Sequence, residues 1–285
     1  GHKRRVFAGK DYVASVDPVN PDADFRLIED VPLDRYDAVL ACIPDEPKAE
    51  LLEYCIVNGK NVLVEKPLAF SLEEADRLVD AAAARDVLLA TGHTERFNPA
   101  VTAALPLVSS PRFIEIHRLG AFPDRSLDID VIFDLMIHDL DVLLAVVGSA
   151  VTSVEAVGVN VLTPRVDIAN VRLRFASGCI ANVTASRISR DRVRKARFFQ
   201  RDSYVSIDYA EQEVEAYRLV SENGGRPVIQ GGRVEVSGDE PLRLELADFV
   251  EAVRTRRQPA VTGRDGRAAL ALATQVTELI SKGAA

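Results

Sequence analysis

Two short stretches of the chain carry residue types suited to moving protons. Glu65-Lys66-Pro67 closes an apolar run (NVLVEKP), and Asp134 and His138 interrupt an apolar helical pattern (VIFDLMIHDLDVLLAVV). Residues four apart share a helix face, so Asp134 can accept a hydrogen bond from the His138 ring and fix its tautomer. Lys66, at a strand end, adds a cation that can also take a proton, and a cis bond before Pro67 would aim its ammonium into a cleft. A carboxylate-oriented imidazole together with a lysine suits removal of a proton from an alcohol during hydride transfer. Plainer readings exist for both. Lys66 can be a surface lysine at a strand end, and Asp134 with His138 a satisfied core pair. Two polar groups on an apolar face are nonetheless costly to bury unless they pair or face a ligand.

Such residues need elements to hold them. Over the first ninety residues short apolar runs alternate with helical patterns: DYVASVD, YDAVLACIP, KAELLEYCIVNG, NVLVEKP, SLEEADRLVDAAAARD and VLLATG. That alternation predicts an α/β domain with a Rossmann-type parallel sheet and crossover helices. Ser71 with Glu74 reads as a capping box, and Gly59 as the residue just past a helix end. Asp17 closes the run VASVD, where a dinucleotide fold places a carboxylate on the adenosine ribose; this favours NAD over NADP. An Asp before Pro18 also reads as a turn residue. Of the glycine fingerprint that should precede it, Gly1 alone can stand for the last glycine, so the first strand is expected upstream of residue 1.

From about Arg112 the pattern changes to period-two runs (RFIEIHRL, SVEAVGVNVL, NVRLRF, CIANVTASRI, VRKARFFQ, SYVSIDYA, EVEAYRLV and GRVEVSG). They predict a second α/β domain on a large open antiparallel sheet, with one face on a core and the other inviting a homodimer or homotetramer. The expected division is 1–94 for dinucleotide binding and 95–285 for substrate binding and assembly. A helix at about 128–147 interrupts the strand series, two helical patterns close the chain, and Gly224-Gly225 and Gly231-Gly232 read as hairpin turns. Arg96 and Asn98 mark the domain junction. With Arg118, Arg125 and Ser126 ahead of the helix bearing His138, they suit an anionic sugar substrate through forked contacts; for each arginine alone, a surface role is the simpler reading.

The 285 residues carry 35 Lys plus Arg against 43 Asp plus Glu, a net charge of −8, which argues against a nucleic-acid partner. The basic run Arg187 to Arg201 alternates like strands and reads as a solvated face. Cys42, Cys55 and Cys179 lie far apart with no metal-ligand spacing, and an odd count fits the reducing cytoplasm better than a disulfide framework. No metal is expected. No apolar run is long enough for a membrane span, and the basic start has no apolar region behind it, so neither a signal peptide nor an anchor is expected. The glycosylation pattern Asn182-Val183-Thr184 lies in a strand-like run and is read as chance.

Taken together, these motifs resemble the Gfo/Idh/MocA oxidoreductases, and the resemblance covers nearly the whole chain. The EKP motif of that family matches Glu65-Lys66-Pro67, its Asp-x3-His matches Asp134 and His138, and its threonine-proline loop matches Ile43-Pro44 imperfectly. The resemblance implies a Rossmann domain followed by an α/β domain with an open sheet. It also implies NAD as cofactor, Lys66 and His138 as the acid/base pair, and cofactor contacts from Gly1, Asp17, Ile43, Pro44, Lys48, Glu65 and Lys66. Lys48 stands where the family usually has a loop histidine. The run RLGAFPDRSLDIDVIFDLMIHDLD, with RFNPAV before it, looks like the branch that oxidises UDP-N-acetylglucosamine at its 3-hydroxyl; the first third resembles a different branch. Dehydrogenases of a free sugar, an inositol or a dihydrodiol are the alternatives. Beyond enzymes, a sugar or nucleotide sensor of the same fold or a purely structural oligomer remains, and neither needs Lys66, Asp134 and His138 together.

Overall fold

The computed structural model describes residues 2–43, 48–122, 127–221 and 226–283. They form two compact units, residues 1–93 with 242–270, and residues 94–241 with 271–285. A single cut at 94/95 therefore misses the return of residues 242–270 to the first unit. In chain order the elements are α1 His2–Ala8, β1 Ala38–Ala41, α2 Lys48–Val57, β2 Asn61–Glu65, α3 Leu72–Arg85, β3 Leu89–Gly92, α4 Pro99–Ala104 and β4 Phe113–Leu119. A π-helical turn, Ile132–Met136, then opens α5 Ile137–Val147. The strands β5 Val151–Val159, β6 Ile168–Phe175, β7 Ile180–Ser186, β8 Val193–Phe199, β9 Ser203–Asp208, β10 Glu213–Val220 and β11 Val228–Val234 come next, and α6 Pro241–Thr255 and α7 Gly263–Gly283 close the chain.

In the first unit β1, β2 and β3 form a parallel sheet in that order, joined by α2 and α3. Val62, Leu63 and Val64 are all buried, the continuous apolar run of a parallel strand covered on both faces. Helix α3 starts at the expected capping box: Ser71 Oγ accepts from the Glu74 amide at 3.2 Å, and Glu74 Oε2 accepts from the Ser71 amide at 3.3 Å. Residues 242–270 rejoin this unit because Leu246 and Phe249 of α6 pack with Leu63 and Ala90, and Phe7 and Ala8 of α1 close the same cluster. The run DYVASVD is not a regular strand. Only Val16 pairs, in one parallel bridge to Phe25, because a strand exists by virtue of its neighbours and this segment finds a single one among the described residues.

The second unit is an eight-stranded sheet in the order β11-β10-β9-β8-β4-β7-β6-β5. It is mixed rather than purely antiparallel. Strands β5–β7 and β8–β11 are two antiparallel meanders, and β4 lies between them, antiparallel to β8 and parallel to β7. One face is buried through Ile114, Ile116, Val171, Leu173, Val183, Phe198 and Ile207. On the other, a row of rings crosses four strands: Phe113 to Phe199 at 5.6 Å, Phe199 to Tyr204 at 5.2 Å and Tyr204 to Tyr217 at 6.4 Å between centroids. Gly231 and Gly232, expected in a turn, instead lie within β11 opposite Tyr217 and Ala216. Gly231 has φ +144°, and a Cβ there would meet the Ala216 carbonyl oxygen at 2.0 Å, so the pairing needs glycine. The turn expected at Gly224-Gly225 lies outside the described residues. Among the described residues, no helix is long and apolar enough to cross a membrane.

Helix α7 approaches β3 closely. Thr262 and Asp265 cap each other, with the Asp265 amide donating to Thr262 Oγ1 at 3.2 Å and the Thr262 amide to Asp265 Oδ2 at 2.8 Å. One residue on, a Cβ at Gly266 would sit 2.1 Å from Thr91 Oγ1 and 2.7 Å from Thr91 Cβ. In an exposed helix, glycine to alanine stabilises by about 1 kcal/mol. Here Thr91 is fully buried and branched at Cβ, so overpacking reverses the sign. Gly266→Ala is expected to lower the unfolding free energy by about 1–3 kcal/mol in urea titration, and adding Thr91→Ala to recover part of the loss.

Candidate active site

Ligands of open α/β sheets bind at the carboxyl ends of the strands. In the first unit that edge carries Cys42-Ile43 after β1, Lys66-Pro67 after β2 and His93 after β3. The Lys66–Pro67 peptide bond is cis, and Lys66 is half-buried. Two cations brace this turn. Arg4 of α1 forms an ion pair with Glu65 and reaches Glu245 of α6 at 3.2 Å. Lys48, an expected cofactor contact, is buried at the start of α2 and donates from Nζ to the Pro67 carbonyl at 2.9 Å, which makes it a support of the EKP turn. Gly92 lies close beside this turn, since a Cβ on it would stand 3.2 Å from Glu65 Oε2.

Asp17 follows the single bridge at Val16, and its Oδ1 accepts from the Val19 and Asn20 amides, each at 2.9 Å. Those amides hold its carboxyl below the usual carboxylate range. Asp17 therefore closes a turn. Ile43 is half-buried at the same carboxyl edge as the EKP turn. Gly1 and Pro44, the other expected cofactor contacts, lie outside the described residues, as do Arg125 and Ser126.

The second unit holds the other expected residues. Asp134 lies within the π turn and His138 is the second residue of α5, both half-buried. A π turn inserts one residue into a helix and recurs at functional sites, which sets these two apart from an ordinary apolar helix. The residues flanking His138 are more deeply placed. Asp139 is fully buried and receives a forked pair of hydrogen bonds from Arg118, at 2.7 Å from Nε and 2.8 Å from Nη2. Arg118 Nη1 also donates to Glu95 Oε1 at 2.9 Å, and its guanidinium lies 5.4 Å from the centre of the Tyr209 ring. Burial disfavours the charge on Arg118, but Asp139 and Glu95 outweigh it and hold the guanidinium protonated. Asp141, also buried, pairs with Arg96 at 3.5 Å.

Among the described residues, the arginines and asparagine expected to bind substrate are thus largely engaged within the protein. Arg118 is buried in its ion pair. Asn98 caps α4, its Oδ1 accepting from the Ala100 amide at 3.0 Å, while its Nδ2 donates to the Tyr209 carbonyl at 3.0 Å. Arg96 is half-buried beside Asp141. Sequence reasoning did not reach Asp139 or the pair of Arg187 with Asp167. A signal existed: Arg118 and Arg187 fall in the buried phase of their strand patterns, and Asp139 sits in an apolar helix, so each demands an opposite charge.

Two family descriptions match the chain: the oxidoreductase family with an NAD-binding Rossmann fold over residues 10–93, and the GFO/IDH/MocA C-terminal domain over residues 73–201. The UDP-N-acetylglucosamine 3-dehydrogenase of Acidithiobacillus ferrooxidans is 36% identical over 249 residues, covering 87% of this chain and 80% of that protein. This chain belongs to the Gfo/Idh/MocA oxidoreductase family. A crystal form of the same Acidithiobacillus enzyme superposes with a TM-score of 0.81 at 35% identity, covering 88% of this chain and 80% of the other. The myo-inositol 2-dehydrogenase of Thermotoga maritima is 30% identical over 269 residues, covering 87% of this chain and 77% of that protein. A levoglucosan dehydrogenase in complex with NADH and levoglucosan has a TM-score of 0.81 over 95% of this chain and 88% of the other; at 19% identity that likeness shows the fold alone. The family fixes the broad chemistry as that of an NAD-binding oxidoreductase.

A second buried pair meets the segment that leads into the π turn, through the Ile129 carbonyl. Asp167 and Arg187 are both buried, with Arg187 Nε donating to Asp167 Oδ1 at 2.9 Å. Burial works against the Asp167 charge, yet the Leu162 and Thr163 amides, the Thr163 hydroxyl and Arg187 hold its carboxyl well below the usual range. A carboxyl depressed in the folded state contributes stability that is complete above its unfolded value, about 3.9, and is lost as pH falls below it. Asp167→Asn is therefore expected to cost about 3 kcal/mol at pH 7. Urea midpoints of the two proteins should converge below about pH 4; a gap that stays constant in acid would contradict this account of Asp167.

Proposed function

We propose that this chain is an NAD-dependent dehydrogenase that oxidises the 3-hydroxyl of UDP-N-acetylglucosamine. The observation that carries the reading is the placement of Asp134 within a π turn and of His138 just beyond it, in a chain that also presents a cis EKP turn at the carboxyl edge of a parallel sheet. The 36% identity to the Acidithiobacillus enzyme over 87% of the chain supports the substrate. In the reaction the substrate hydroxyl gives its proton to Lys66 or His138 as the carbinol hydrogen leaves with its electron pair, and a keto sugar remains. Asp134 orients His138 and stabilises the imidazolium that forms. NAD, when bound, supplies the hydride acceptor, with contacts from Asp17, Ile43, Pro44 and Glu65 and the turn braced by Lys48. Arg96, Arg125 and Ser126 are assigned to the anionic substrate, whereas Asn98 and Arg118 serve it through the shape of the unit.

A second reading, an inositol dehydrogenase, is favoured by the 30% identity to the Thermotoga enzyme. A sensor without catalysis would have no use for Lys66, Asp134 and His138 together. The open sheet face, with its row of rings and the exposed Leu219 and Ile229, supports assembly as a homodimer or homotetramer.

NADH formation with UDP-N-acetylglucosamine, compared with myo-inositol, separates the two enzymatic readings. Lys66→Ala and His138→Ala should each lower turnover roughly 10²- to 10⁴-fold with unchanged circular dichroism and melting temperature. Full turnover in either variant would remove that residue from the proposed acid/base pair.

A further inference from the structure

A π turn is a fragile device. Releasing its extra residue would convert it to α-helix and rotate the chain before it by about 100° relative to the helix after it, since an α-helix has 3.6 residues per turn. Asp134 lies inside the turn and His138 just beyond it, so that rotation would change how the two face each other. Both ends of the turn must be held if their geometry is to persist.

On the amino-terminal side, the Val131 amide donates to the Val166 carbonyl at 3.0 Å, the Val166 amide to Asp130 Oδ1 at 2.9 Å, and Arg187 Nη1 to the Ile129 carbonyl at 2.7 Å. Arg187 is itself fixed by Asp167 Oδ1 and by Thr163 Oγ1, the latter at 3.0 Å. Asp167 Oδ2 gathers the amides of Val161, Leu162 and Thr163 at 2.7–2.9 Å. On the carboxyl-terminal side, Asp139, the residue after His138, takes the forked bonds from Arg118.

The sheet explains why two arginines reach the two ends of one turn. β4 and β7 run parallel, with Arg118 opposite Ala185. Arg187 follows Ala185 by two residues, which places it on the same face as Arg118 and at the same end of the sheet. The parallel pairing brings the carboxyl ends of both strands, and so both side chains, to one end of the sheet. A buried ion pair rarely stabilises more than apolar residues of its shape would, and what it can supply is a single defined arrangement.

We propose that Arg118 and Arg187 are positioning residues: with Asp139 and Asp167 they clamp the π turn Ile132–Met136 at its two ends and so set the orientation of Asp134 toward His138. The catalytic part of this inference rests on the assignment of His138 above; the structural part does not.

The test uses Arg118→Lys and Arg187→Lys, which keep the charge and remove the planar fork. In each folded variant the His138 ring nitrogens are observed by NMR at one fixed pH, their signals assigned by their loss in His138→Gln. His117, on the open face of β4, serves as internal reference. The clamp predicts that the His138 ring signals move in both variants while those of His117 stay in place. It also predicts that kcat falls roughly tenfold to a hundredfold with little change in KM. Unchanged His138 signals in both variants, or a rise in KM with kcat intact, would overturn it. Should a lysine variant fail to fold, Thr163→Val, which removes only the hydroxyl shared by Asp167 and Arg187, is read by the same criterion. Because the ring signals need no turnover, an enzyme inactive on UDP-N-acetylglucosamine would count against the proposed substrate and leave the clamp to be decided by NMR.

Discussion

Asp139 lies where water does not reach, and an ionised carboxylate is tolerable there only because Arg118 brings a guanidinium to it through the protein. Much of the second unit depends on that one pair. To deliver Arg118 to such depth, β4 has to be an inner strand, and it is, flanked by β7 and β8. To present Asp139 to it, α5 must cross that end of the sheet with His138 immediately before. Glu95 takes the remaining reach of the same guanidinium and so ties down the turn Thr94–Phe97 that opens the unit. The pair of Arg187 with Asp167 repeats the solution one strand away.

Local chemistry was legible where the deciding partners are close in sequence. The capping box at Ser71 and Glu74, the alternation of β4 through β10 and the helix after Lys48 all arise from periods and end signals within a dozen residues. The strand DYVASVD was misread because its alternation fits a strand, but only a neighbouring strand can make it one. The parallel seam between β4 and β7 depends on residues nearly seventy positions apart, and no local pattern encodes it. Gly231-Gly232 shows the same limit: paired glycines fit a turn, yet β10 lies so close to Gly231 that the strand needs glycine there.

At the site, the residue types were legible and their depth was not. Asp134 and His138 were found because polar groups on an apolar helix stand out, whereas the π turn that holds Asp134 leaves no mark in the composition of IFDLM. Arg118 and Asn98 were read as substrate contacts from their chain position, and the structure commits both to internal partners. The strand phase held the correcting information, since Arg118 shares the phase of the buried Ile114 and Ile116. A charge in that phase points to an internal partner before it points to a ligand.

The proposed reaction requires one chain to bind both NAD and a nucleotide sugar. Calorimetric titration of the purified protein with NAD, followed by UDP-N-acetylglucosamine in its presence, tests it most directly. NAD is expected to bind, and the nucleotide sugar then to bind the NAD-loaded protein. Absence of NAD binding, or a loaded protein that ignores UDP-N-acetylglucosamine and binds myo-inositol instead, would contradict it.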